Sequence, residues 1–89
     1  MAINEIKKRD GTLEKFEVSK IKNALLKSFI AANEGDNFAA NRVTEEVVNI
    51  VERRFRDKIP TVENIQDIVE DILIKQGYSR AAKAYILYR

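Results

Sequence analysis

The sequence predicts an α+β domain, mainly α, built as a β-hairpin followed by four helices. Asp10-Gly11 separates two arms, "INEIKKR" and "TLEKFEV", and Asp-Gly is a favoured pair for a two-residue type I′ hairpin turn. Four later stretches repeat apolar residues at helical spacing between Ser, Thr, Gly and Pro punctuation. A length of 89 residues, 45% of them hydrophobic, provides one modest core, so residues 1–89 read as a single domain.

The hairpin is expected at about residues 3–17. Leu13 and Phe16 do not alternate strictly in its second arm, so the turn carries that assignment. Ser19 looks like an N-cap, with Val18 as a staple residue before it. Ile21, Leu25, Phe29 and Ala32 then give a first helix over about 19–33, ended by Gly35. "NEGDNFAAN" reads as a loop. Thr44 is expected to cap a second helix, about 43–56, with Glu45 and Glu46 in its first turn and Val47, Ile50 or Val51, and Phe55 buried. After Pro60, Thr61 caps a third helix, about 61–76, with Ile65, Ile68, Val69 and Ile72 on its core face. Gly77 stops it. Ser79 opens the last helix, about 79–89, where Ala81, Ala82, Tyr85 and Tyr88 allow close packing.

Composition removes whole classes of chemistry. Cysteine and histidine are both absent, which excludes disulfides, cysteine zinc sites and Ser-His or Cys-His catalysis. No apolar run approaches the roughly 20 residues that cross a bilayer. No signal-peptide stretch opens the chain, so a cytoplasmic protein without membrane partners is expected. No paired carboxylates or Gly-rich phosphate loop stand out, so the chain is not expected to be an enzyme.

Charge is distributed unevenly. Lys7, Lys8, Arg9, Lys15, Lys20, Lys22 and Lys27 make the first part basic, the middle is acidic, and Lys75, Arg80, Lys83 and Arg89 turn the end basic again. If the two ends meet, they form one electropositive side. Lys8 and Arg9 precede the turn and Lys20 lies in the first turn of the next helix, so these cations can converge beside a helix N-terminus. Polyphosphate recognition needs such cations and directed N–H donors. The same lysines would also keep an edge hairpin from pairing with other chains. Glu14 and Glu17 interrupt the patch. A surface made only for nucleic-acid phosphates gains nothing from them, whereas a site that also reads a purine amino group could use an acceptor. Phe16, Phe29 and Phe55 fall on apolar faces and read as core rather than as stacking platforms, so nucleic acid is an unlikely partner.

At these residues a resemblance enters. "IKKRDGTLEKFEVSKIKNAL" resembles the opening of the ATP-cone, the regulatory nucleotide-binding domain at the N-terminus of many ribonucleotide reductases. Ile6, Lys8-Arg9-Asp10-Gly11, Phe16 and Lys20-Ile21 fit its pattern in order. "IPTVENIQDIVEDIL" is similar to the family's third helix, and "YSRAAKAYILYR" to its closing helix with a final Tyr-Arg. The resemblance covers essentially the whole chain. It implies a hairpin lid over a four-helix bundle, with ATP or dATP and Mg2+ held between them. It also implies opposite signals from the two nucleotides to the catalytic domain of a reductase through altered subunit assembly, with self-association among the routes, in deoxyribonucleotide biosynthesis for DNA replication.

Carried over by position, Lys8, Arg9 and Lys20 would contact phosphates, and Ile6 and Phe16 would border the base. Glu14 and Glu17 would accept from adenine or order the lid. Thr61 would offer a hydroxyl near base or ribose, and Tyr88 stands at a further contact position. Family helices often run on into more basic residues and a catalytic barrel, and this chain lacks the cysteines of reductase chemistry. It therefore reads as an excised or free-standing regulatory module. The alternative is a small nucleotide- or nucleic-acid-binding module, such as the cone of a transcriptional regulator. The zinc ribbon of such a repressor is excluded by the missing cysteines.

Overall fold

The first two elements of the computed structural model, which describes residues 3–89, are β1 (Glu5–Lys7) and β2 (Leu13–Lys15). They pair antiparallel, with Ile6 opposite Glu14 and Lys7 opposite Leu13. Successive strand residues face opposite ways, so Ile6, Glu14 and Phe16 turn inward while Leu13 points out and is exposed. This explains the broken alternation: Leu13 and Phe16 belong to different faces.

The turn differs from the expected type I′. Among the described residues Asn33 is the one non-glycine with positive φ, so Asp10 does not adopt the conformation that type I′ requires. Gly11 N–H instead donates to the Lys8 carbonyl, and Lys8 N–H to the Thr12 carbonyl. This is a three-residue loop over Arg9, Asp10 and Gly11, with Gly11 alone at φ 87°. Asp10 fixes it by accepting from both the amide and the hydroxyl of Thr12. Those two bonds hold the Asp10 carboxyl below its usual range.

Four helices follow: α1 (Val18–Ala32), α2 (Asn37–Arg54), α3 (Val62–Lys75) and α4 (Ser79–Tyr88). Each packs on two others, α1 on α2 and α4, and α3 on α2 and α4, which closes a ring around one core. Leu25, Val43, Val47, Val51, Val69, Leu73 and Ala81 are fully buried there. No helix is long and apolar enough to cross a membrane, among the described residues.

Helix starts follow local chemistry, not always at the expected residue. Ser19 does not cap α1. The helix begins one residue earlier, Glu17 stands at the cap position, and no side chain caps it. Thr44 does not open α2; it is buried within that helix, and its hydroxyl donates to the Ala40 carbonyl at 2.7 Å. Asp36 caps α2 instead, accepting from Ala39 N–H at 2.8 Å. The "FAAN" run is helical because Ala39, Ala40 and Val43 bury on the same stripe as Val47. Phe55, expected inside α2, is its half-buried C-cap residue. Thr61 caps α3 reciprocally with Asn64. Tyr88, expected to pack, is exposed, while Tyr85 is buried one turn earlier.

The α1–α2 connection is tightly built. Asn33 ends α1 at φ 51°, and Gly35 at φ 69° lies against the Phe29 ring. A Cβ on Gly35 would meet that ring at 2.9–3.0 Å, and Phe29 is itself locked edge-on to Tyr78 with centroids 5.1 Å apart. Glu34 accepts from Ala81 N–H at 2.8 Å, so the same corner caps α4 from a distance. Gly35→Ala is therefore expected to cost about 1–3 kcal/mol in urea unfolding. Gly11→Ala, with open space around its Cβ, is expected to cost less and to move the denaturation midpoint by a smaller amount.

Candidate functional site

A two-stranded hairpin is marginal alone, so what it rests on decides where it sits. Lys7 N–H donates to the Pro60 carbonyl at 2.9 Å, and Lys7 bridges to Thr61 in parallel fashion. The outer edge of β1 is thereby tied to the residues that start α3. Ile3, Ile6 and Phe16 pack against the core on the inner face. On the other flank of the hairpin a cleft lies beneath it in two adjoining parts.

The first part is a cavity of about 190 Å³ between the hairpin and α1, α3 and α4. Its apolar walls are Ile6, Phe16, Ile21, Ala24, Val62, Ile65 and the Tyr85 ring, and Glu14, Lys15, Glu17, Lys20 and Gln66 supply its polar groups. The second is a more open chamber of about 370 Å³ lined by Lys8, Arg9, Asp10, Glu14, Val62, Gln66 and Arg89. Glu14, Val62 and Gln66 line both parts, so the two are adjacent. The chamber by itself falls in the range of about 300–1,000 Å³ of small-molecule sites.

Most charges in the cleft are paired. Glu14 sits between Lys20 at 3.5 Å and Lys8 at 3.9 Å, and Lys20 also meets Glu17 at 3.6 Å. Arg9 Nε donates to Glu63 in the first turn of α3. The Glu63 carboxyl is held below its usual range, first by its own backbone N–H and then by Arg9. Arg89 lies with Nε 2.6 Å from Glu70 Oε2, and it donates from a second nitrogen to Gln66 Oε1 at 3.2 Å. At Tyr85, burial pushes the phenol up to about 12. The Glu70 carboxylate adds to this and Arg89 opposes it, so the hydroxyl at the cavity wall is neutral and able to donate.

The residues singled out from sequence are mostly brought together. Ile6, Glu14, Phe16, Glu17 and Lys20 line the cavity, and Lys8, Arg9 and Glu14 line the open chamber. Thr61 lines neither. Its hydroxyl oxygen accepts from Asn64 N–H as the α3 cap, and its proton is left over to donate. Tyr88 lines neither as well and is 58% exposed. Sequence reasoning passed over Gln66, Tyr85 and Arg89. Gln66 neighbours the expected core position Ile65, Tyr85 is expected from sequence only to pack, and Arg89 is expected only as one cation of the basic end and as the last residue of the Tyr-Arg ending. The two basic ends do meet, but through Lys8, Arg9 and Arg89 rather than through all the cations of both segments.

A free Tyr85 hydroxyl has a measurable consequence. The fold holds this phenol protonated between pH 10 and about 12, where an unfolded chain releases the proton. The native state thus binds more protons than the unfolded one in that window, and stability falls as pH rises through it. An ultraviolet titration of phenolate is expected to show a late component near pH 12, lost in Tyr85→Phe.

Comparison with known proteins gives one consistent result. The family model described as the ATP cone domain matches residues 4–89. A vitamin B12-dependent ribonucleoside-diphosphate reductase of Thermoplasma acidophilum is 40% identical over 93 aligned positions, covering 98% of this chain and 12% of the relative. An anaerobic ribonucleoside-triphosphate reductase of Haemophilus influenzae is 40% identical over 82 positions, covering 92% and 12%. The ribonucleoside-diphosphate reductase subunit alpha of Chlamydia trachomatis is 34% identical over 91 positions, covering 92% and 9%. The chain spans about a tenth of the length of these relatives.

Proposed function

The chain belongs to the ATP cone domain family, and on that premise we propose that it binds ATP and dATP beneath the hairpin as the activity-control domain of a ribonucleotide reductase. A nucleotide-binding, allosteric role comes with the family itself. Placement of the ligand rests on one observation: an apolar cavity adjoins a chamber bearing Lys8, Arg9 and Arg89, with three residues lining both. That is the layout of a nucleotide. The base takes the apolar part between Ile6, Phe16 and Ile21, the phosphates take the basic part, and the ribose lies where Glu14, Val62 and Gln66 line both.

Each role follows from side-chain chemistry. Lys8 and Arg9 exchange their carboxylate partners for phosphate oxygens, and Lys20, which lines the apolar cavity and not the basic chamber, reaches a phosphate only by extending past Glu14. Glu14 and Glu17, released from the lysines, are acceptors for donor groups of the base or order the hairpin. Mg2+ arrives with the nucleotide. Among the described residues no three carboxylates converge, so such an ion relies on phosphate oxygens and water, as Mg2+ commonly does. A bound nucleotide touching β1, β2, α1 and α3 at once fixes the hairpin on the bundle and stabilises the fold by mass action. The relatives place a domain like this in much longer reductase chains, so the receiver of the signal is a catalytic body.

Titration of the chain with ATP, dATP, GTP and a short oligonucleotide, followed by amide NMR, tests this reading. ATP and dATP are expected to move residues 6–20, GTP much less, and the oligonucleotide not at all. Lys8→Ala and Lys20→Ala each remove a charge-assisted bond of about 1.5–3 kcal/mol, so affinity for ATP falls roughly ten-fold or more with the fold intact. Unmoved resonances in residues 6–20 with both adenine nucleotides would refute the assignment. A salt-steep response to the oligonucleotide alone would make the cleft a nucleic-acid surface.

A further inference from the structure

We propose that Arg89 is a phosphate-binding residue of this cleft, exchanging Glu70 for the ligand and so carrying occupancy of the site to the end of α4. The proposal deepens the nucleotide reading and rests on it. Arg89 is the residue immediately after α4, yet its side chain lines the same chamber as Lys8 and Arg9 of the hairpin turn. Its side chain is 28% exposed, against 72% for Arg9 and 63% for Lys20, so it is the most enclosed of the cations around the cleft.

Two α3 side chains hold it there. Glu70 pairs with Nε at 2.6 Å and Gln66 accepts from a terminal nitrogen at 3.2 Å. A guanidinium carries five N–H donors, and these contacts use only part of the set, leaving donors for phosphate oxygens. Gln66 itself lines both parts of the cleft, so a ligand filling the junction presses on the same residue that orients Arg89. Glu70 Oε2 is buried, and Arg89 Nε at 2.6 Å supplies its counter-charge. Turning Arg89 away leaves this buried oxygen without its cation, so the exchange needs a phosphate that holds the guanidinium by two bonds at once.

The consequence reaches beyond binding. Ile86, Leu87 and Tyr88, just before Arg89, are 43%, 87% and 58% exposed, an apolar surface at the end of α4. When Arg89 turns from Glu70 towards phosphate, the tie between the end of α4 and the middle of α3 is broken, and that exposed segment changes its seat on the bundle.

The test compares Arg89→Gln, Glu70→Gln and the exposed Lys83→Gln by calorimetric titration with ATP, ADP and AMP. Arg89→Gln is expected to weaken ATP about ten-fold, ADP less and AMP little. Glu70→Gln is expected to leave ATP binding equal or tighter, and Lys83→Gln to leave it unchanged. Equal weakening of all three nucleotides by both Arg89→Gln and Glu70→Gln would mean that the pair only braces α4, and would overturn the proposal. So would a loss in Lys83→Gln matching that in Arg89→Gln. If Arg89→Gln fails to fold, the Arg89 Nε–H resonance of the unaltered chain decides: it moves on adding ATP, or the proposal is wrong. A chain that binds no adenine nucleotide fails the broader reading of the cleft instead, which is a separate outcome.

Discussion

The whole arrangement depends on how a hairpin of three paired residues per strand is held against the bundle. Such a hairpin does not persist alone in water. Here one edge is tied by the Lys7–Pro60 backbone bond and the inner face by Ile3, Ile6 and Phe16. Tying one edge leaves the other flank open, and that opening is the cleft. A hairpin bonded along both edges would have no room beneath it, and one bonded along neither would not gather Lys8 and Arg9 at a fixed place. The capped start of α3 is therefore structural and functional at once: the Thr61–Asn64 box fixes the segment on which β1 leans.

Charge balance gives the cleft its second property. Lys8 and Lys20 share Glu14, and their side chains are 49% and 63% exposed. Exposed pairs of this kind contribute about 0–1 kcal/mol each, whereas a hydrogen bond to a charged ligand group contributes roughly 1.5–3 kcal/mol. The carboxylates hold the lysines near the site without holding them firmly, so on the proposed reading a polyphosphate would win the exchange. Carboxylates in a basic patch thus serve the patch: they keep its cations gathered in solution and, once released, become acceptors.

Much of this was legible in the sequence, and the failures share a cause. The four helices, the hairpin and the Thr61 cap follow from periodicity and local signals that act within a few residues. Ser19 and Thr44 carry the same cap chemistry, but burial of Ala39, Ala40 and Val43 drew α2 back to Asp36, and tertiary packing outweighed a local preference. Asp10-Gly11 was read as a two-residue turn, yet Thr12 satisfies Asp10 and leaves Gly11 alone in the left-handed region. Most of the site is readable because Lys8, Arg9, Glu14, Phe16, Glu17 and Lys20 are close in sequence. Gln66, Tyr85 and Arg89 reach it only through the packing of α3 and α4, and no local pattern marks a helix residue that faces a cavity rather than the core.

The geometry also bears on how ATP and dATP would send opposite signals. They differ by one hydroxyl, and a ligand shifts a two-state equilibrium only through differential interaction with the states. A single net hydrogen bond contributes about 0.5–1.5 kcal/mol, close to ten-fold at most. Larger discrimination arises where a lost partner leaves a buried group unpaired, but the junction at Glu14 and Gln66 opens to the solvated chamber, and water can replace the missing hydroxyl. Affinity alone is then a weak discriminator in this cleft. On the proposed reading, what differs would be the conformation each complex favours, with the hairpin, which rests on few contacts, as the part nearest the ligand.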